Sequence, residues 1–167
     1  MPPCLDVYAL SPLRDRETIE SFVARYVSVV DPLLDAEVLV LPLDASDDLP
    51  VDEWDVIPVV SVDGIVDLGL SSPRRVFTVH LRAASPRCGA ILCFACNDEV
   101  TFGVSVDDPL DSDEAMATAT SVLHELCEDT AASCGWVIWE RQPSSHPHRD
   151  RPWDAHGVRA TYVRVDS

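Results

Sequence analysis

The chain has 167 residues, 47% of them hydrophobic, with 29 acidic residues against 12 basic ones for a net charge of -17 at pH 7. That length suits one folded domain burying roughly two thirds of its unfolded surface, and the apolar content excludes a disordered acidic segment. The charge excludes binding that depends on neutralising phosphates, so neither nucleic acid nor an anionic membrane is an expected partner.

Leu5 to Leu10 reads as a short strand ending at the turn-forming Ser11-Pro12. Ile19, Phe22, Val23, Tyr26, Val27 and Val30 then recur at the spacing of one helical face, which predicts a helix that runs to Asp31-Pro32. Glu37 to Leu41 is an apolar run of strand length, expected to be covered on both faces. Leu43 to Asp55 surrounds Pro50 with carboxylates and reads as an acidic loop. Val59 to Val62 and Ile65 to Leu68 flank Asp63-Gly64, the pattern of a hairpin with a favoured turn.

Val76 to Arg82 alternates Phe77, Val79 and Leu81 with Thr78, His80 and Arg82, as a half-buried strand does. Ala90 to Cys96 and Val100 to Val106 predict a second hairpin around Asn97-Asp98. A second acidic loop, Asp107 to Asp111, leads to a helix start at Ser112, with Asp113 and Glu114 where the helix dipole favours negative charge. That helix is expected to turn Ala115, Ala119, Val122, Leu123, Leu126 and Cys127 inward and to end near Gly135. Gly135 to Glu140 and Val158 to Val165 read as the last strands, joined through a Pro/His-rich surface loop at about 142 to 156. The order predicts one α+β domain over residues 1–167, its mostly antiparallel sheet packed on one face by two helices as a single pair of layers.

No secretory or transit signal is recognisable at the N-terminus, and no apolar stretch approaches the length of a membrane span. The six cysteines are expected as thiols in a cytoplasmic protein. Cys93-x-x-Cys96 has the spacing of a metal or redox pair, but residues three apart on a strand face opposite ways. His124 and Glu128 are expected on a solvated helix face, and His146, His148, Asp150, Asp154 and His156 lack the spacing of a metal site. No metal, cofactor or catalytic residue is assigned.

The charge is distributed unevenly. The stretches between Tyr26 and Pro73 and between Cys88 and Glu140 contain no Lys or Arg, and all 12 basic residues are Arg. Coding bias accounts for the missing Lys, and a halophilic surface would account for the acid total. Two acid tracts concentrating like charge within a screening length of about 8 Å incur a self-repulsion that a cationic partner would relieve. The candidate contact residues are Asp44, Asp47, Asp48, Asp52, Glu53 and Asp55 with Trp54 as an aromatic anchor, and Asp107, Asp108, Asp111, Asp113 and Glu114.

The strand Asp6-Val7-Tyr8-Ala9-Leu10-Ser11, the helix beginning Thr18-Ile19, the Ala90 to Val106 hairpin and Gly135-Trp136-Val137-Ile138-Trp139-Glu140 together resemble the small acidic immunity proteins of bacterial toxin systems. That resemblance implies stoichiometric neutralisation of a basic toxin or nuclease domain, with no catalysis and no cofactor. Other readings compatible with the residues are an acidic adaptor, a nucleic-acid-mimicking anti-defence protein, a metal-dependent enzyme built on Asp107, Asp108, His124 and the cysteines, and a halophilic protein whose acid is surface adaptation.

Overall fold

A computed structural model describes residues 4–46, 48–108 and 111–164. The elements are β1 (Cys4–Ser11), α1 (Arg16–Tyr26), β2 (Glu37–Val40), β3 (Asp55–Pro58), α2 (Val62–Leu70), β4 (Phe77–Leu81), β5 (Gly89–Phe94), β6 (Val100–Asp107), α3 (Asp113–Asp129), β7 (Cys134–Trp139), α4 (Pro147–Asp150) and β8 (Val158–Val163). The strands form one open sheet in the order β3-β2-β4-β5-β6-β1-β7-β8, and every neighbouring pair is antiparallel. The α+β class and antiparallel sheet match the reading from sequence. No helix among the described residues is long and apolar enough to cross a membrane.

β1 lies between β6 and β7, and all eight of its residues are buried. Its alternate residues therefore serve two cores. Leu5, Val7 and Ala9 join one cluster with α1, α2 and α3, in which Phe22 lies 5.0 Å from Phe102 and Phe77 stacks on Phe94 at 4.7 Å. Tyr8 and Leu10 join Ile91, Trp136 and Ile138 on the opposite face. Each fully buried Phe or Leu contributes about 1.5 to 3 kcal/mol relative to exposure, so the larger, helix-side cluster dominates stability. Three helices share that core and α4 is a fourth, in place of the two expected.

The expected hairpin around Asp63-Gly64 is helix α2. Ser61 caps it by accepting a hydrogen bond from the Gly64 N–H at 3.0 Å, and Asp63 sits in the favourable first turn. Ile65, Val66 and Gly69 are buried at helical spacing. The strand in this region is instead β3, which pairs with β2 through Leu39 opposite Val56. β2 is covered on one face only: Val38 and Val40 are buried, whereas Glu37 and Leu39 are exposed.

Helix α1 starts where Asp15 accepts from the Thr18 N–H at 2.9 Å, but it ends at Tyr26. Val27 leaves it to bridge Ala83, and the Ser28 N–H donates to the Arg82 carbonyl at 2.8 Å. The β-branched residues from 27 onward lose side-chain freedom in a helix and fit the pleated edge better. Helix α3 buries all six of its expected inward residues but stops at Asp129, and Ala131 takes a positive φ of 50° before β7.

The segment from 142 to 156 is shaped by burial. Pro143, Pro147 and Pro152 are buried, Trp153 packs 5.8 Å from Trp136, and the Cys96 N–H donates to the Ser145 carbonyl at 3.0 Å. It covers the β1–β7 end of the face opposite α1, α2 and α3, while the β2–β3 end of that face stays open.

Candidate functional site

The three-dimensional structure dissolves much of the charge segregation seen along the chain. Arginines from the basic islands reach into the acidic tracts: Arg16 pairs with Asp67, Arg25 with Glu125 and Asp129, Arg82 with Asp31, Arg149 with Asp48, and Arg159 with Asp111. These pairs are exposed and screened by solvent, so each adds little to stability, but each also removes an acid from the pool open to a partner.

The second acidic loop is largely engaged within the fold. Asp108 is 1% exposed, and its Oδ1 accepts from the Ser112 N–H at 2.8 Å, holding the approach to α3. Asp111, at a positive φ of 49°, pairs with Arg159. Ser112 accepts from the Ala115 N–H at 3.1 Å as the helix cap, and Asp113 and Glu114 occupy the exposed first turn. Asp107 is exposed at the end of β6.

The first tract behaves differently. Asp44, Asp52, Glu53 and Asp55 are exposed, and among the described residues none of them has an ion pair. Asp48 has Arg149, and Asp47 lies outside the described residues. Trp54 is half-buried, its indole N–H donating to the Leu49 carbonyl at 3.0 Å, which fixes the ring beside the acids. Leu39 and Val56 face each other across β2 and β3 and are 43% and 57% exposed, with Val51 and Leu43 exposed nearby in sequence. Among the described residues, the β2–β3 end thus combines unpaired carboxylates with an uncovered apolar pair spanning the edge strand β3 and its neighbour β2.

A second feature was not legible in the sequence. On the face opposite α1, α2 and α3 a cavity of about 370 Å³ opens over β4, β5, β6 and β1, lined by Asp6, Tyr8, His80, Cys88, Ser105 and Glu140 among others. Gly103 makes room for the Tyr8 ring, since a Cβ there would sit 2.7 Å from it. Asp6 accepts from the Ser105 hydroxyl at 2.7 Å and from the Arg141 N–H at 3.1 Å. Burial raises its pKa, and those two hydrogen bonds oppose the rise. The Tyr8 hydroxyl donates to the Arg141 carbonyl at 2.6 Å, and burial pushes its pKa up, so it stays a neutral phenol. The available signal was a lone carboxylate inside the apolar run Leu5 to Leu10.

The Cys93-x-x-Cys96 pair, His124 and His148 do not converge on a common site. Cys93 is buried in β5 while Cys96 lies in the turn that follows, and burial pushes the Cys93 thiol up to about 11. His124 presents its ring edge to Tyr162 at 5.5 Å, and His148 pairs with Glu99 at 2.8 Å. No protein-family model matches the chain, and no curated protein or solved structure matches it either.

Proposed function

We propose that this protein is a non-catalytic acidic binding protein that captures a basic protein by stoichiometric association, in the manner of an immunity protein that neutralises a toxin. The observation that supports this reading is the β2–β3 end, where Asp44, Asp52, Glu53 and Asp55 are exposed, with no ion pair among the described residues, beside the exposed pair Leu39 and Val56. Carboxylates arranged this way steer a cationic surface and raise association rates by about 10 to 10³. The apolar pair and Trp54 supply the desolvated contact that charge alone does not.

The contact region is narrower than the two tracts in sequence. It centres on residues 44 to 56, because Asp108 and Asp111 already have roles inside the fold. The test is affinity capture from the native host at low salt, repeated with the Asp52→Arg/Glu53→Arg/Asp55→Arg variant. A basic partner that forms a 1:1 complex, associates more slowly as salt rises and is lost by the variant supports the reading. A neutral or acidic partner, or retention by the variant, overturns it.

A further inference from the structure

Cys4 opens β1, Cys88 precedes β5, and Asp107 closes β6, so nothing in their spacing along the chain joins them. The sheet brings them together. Cys4 pairs with Asp107 across β1 and β6, while the Cys88 N–H donates to the Ser105 carbonyl on the other side of β6 at 3.0 Å. The two sulfurs and a carboxylate oxygen lie within 4.8 Å of one another, and the two thiols share a hydrogen bond.

We propose that Cys4, Cys88 and Asp107 form a binding site for a thiophilic divalent cation of the Zn2+ class. The donor set selects the metal: two sulfurs exclude Mg2+ and Ca2+, which take oxygen ligands, and favour Zn2+. Tetrahedral Zn2+ with Zn–S near 2.3 Å and Zn–O near 2.0 Å holds such ligands about 3.5 to 3.8 Å apart. Separations of no more than 4.8 Å need a contraction of at most about 1.3 Å, within the reach of side-chain rotation on a fixed sheet.

A disulfide is the competing use of two neighbouring thiols, and the register disfavours it. Cys4 and Cys88 lie on opposite sides of β6, two inter-strand spacings or about 9 Å apart at the backbone, beyond the roughly 7 Å that a disulfide spans. A metal ion spans the longer gap. Cys4 and Cys88 also line the cavity that holds Asp6, His80 and Glu140. Three protein ligands leave a fourth position for water or another ligand, on the side where the cavity opens. The carboxylates of Asp6 and Glu140 nearby add negative potential that favours a cation.

The test uses the full chain, freed of metal and reduced, titrated with Co2+ and Cd2+ and then competed with Zn2+. The expected result is one equivalent bound with a sulfur-to-metal charge-transfer absorption. Cys88→Ser should weaken binding by at least about 100-fold, the upper end of what losing even an outer-shell partner costs. Asp107→Asn, at an exposed position, should weaken it by about 10-fold, with Cys96→Ser leaving it unchanged. Unchanged binding by Cys88→Ser overturns the proposal, as does binding lost in Cys96→Ser but kept in Cys88→Ser. An absent charge-transfer band in a wild-type protein whose circular dichroism shows it folded also overturns it.

Discussion

The Arg14 guanidinium holds the carbonyl of Gly69, donating to it from Nε at 3.2 Å and from Nη2 at 2.7 Å. The same side chain donates to the carbonyls of Ser72, Pro73, Arg75 and Ala95. It is 2% exposed, with Asp98 as a distant counter-charge at 3.9 Å. One cation thus satisfies the carbonyl end of α2 and the turn leading toward β4, and ties both to the end of β5. Gly69 permits this because a Cβ there would lie 2.1 Å from the Phe94 ring.

Replacing Arg14 should therefore be among the most damaging changes in the chain. Arg14→Ala leaves several carbonyls without donors and should cost at least about 3 kcal/mol in urea denaturation. Arg14→Lys, with three donors on a point charge, should recover less than half of that loss. A loss under about 1 kcal/mol for Arg14→Ala would show that water replaces the guanidinium without penalty.

Gly69→Ala tests the same junction from the other side. The methyl group displaces Phe94 from its stack on Phe77, 4.7 Å away, which should cost about 1 to 3 kcal/mol as overpacking. A melting temperature equal to wild type would show that the ring relaxes freely.

The acids around α3 should separate into two kinds. Asp108→Ala leaves the Ser112 N–H without its acceptor and should destabilise by about 1 to 3 kcal/mol. Asp113→Ala and Glu114→Ala remove only a favourable interaction with the helix dipole, about 0.3 to 1 kcal/mol each. Denaturation of the three single variants checks the order, and a harmless Asp108→Ala would show that its hydrogen bond to Ser112 does not hold the approach to α3.

Burial raises the Asp6 pKa above the ordinary 3.8, against the opposing hydrogen bonds from Ser105 and Arg141. A carboxyl that binds its proton more tightly when folded stabilises the fold fully below its unfolded pKa. That contribution is lost as pH rises through the folded value. Asp6→Asn keeps an oxygen for the Arg141 N–H and offers its amide to the Ser105 hydroxyl, but it does not titrate. Its stability relative to wild type should grow as pH rises above the ordinary carboxylate value, in denaturant titrations. Parallel stability curves for the two proteins would remove the burial argument.

At the proposed contact end, Leu39→Ser and Val56→Ser should weaken partner binding with little effect on folding, because both side chains are largely exposed. Calorimetry of the purified complex against both variants decides it, and full affinity in both would place the interface elsewhere.

Local chemistry was readable wherever one element carried its own signal. The cap Ser112, the six inward residues of α3, the alternation of β4 and the β5–β6 hairpin are encoded by spacing within a few residues. Trp136 and Trp139 likewise face opposite sides of β7, with Trp136 buried and Trp139 half-buried against the helix-side core. At Val59 to Leu68 the same reading failed, since Asp63-Gly64 serves a turn or a helix start equally well. Burial of Ile65, Val66 and Gly69 against the sheet decided for the helix.

The sequence by itself determined an acidic α+β chain, most of its antiparallel strands and the start of α3, because periodicity and capping act over neighbouring residues. Only the tertiary structure decided which acids keep no arginine, that Asp6 borders a cavity, and that Cys4, Cys88 and Asp107 meet around β6. Those relationships depend on strand order and register. They join residues far apart in the chain, and no local pattern records which strands become neighbours.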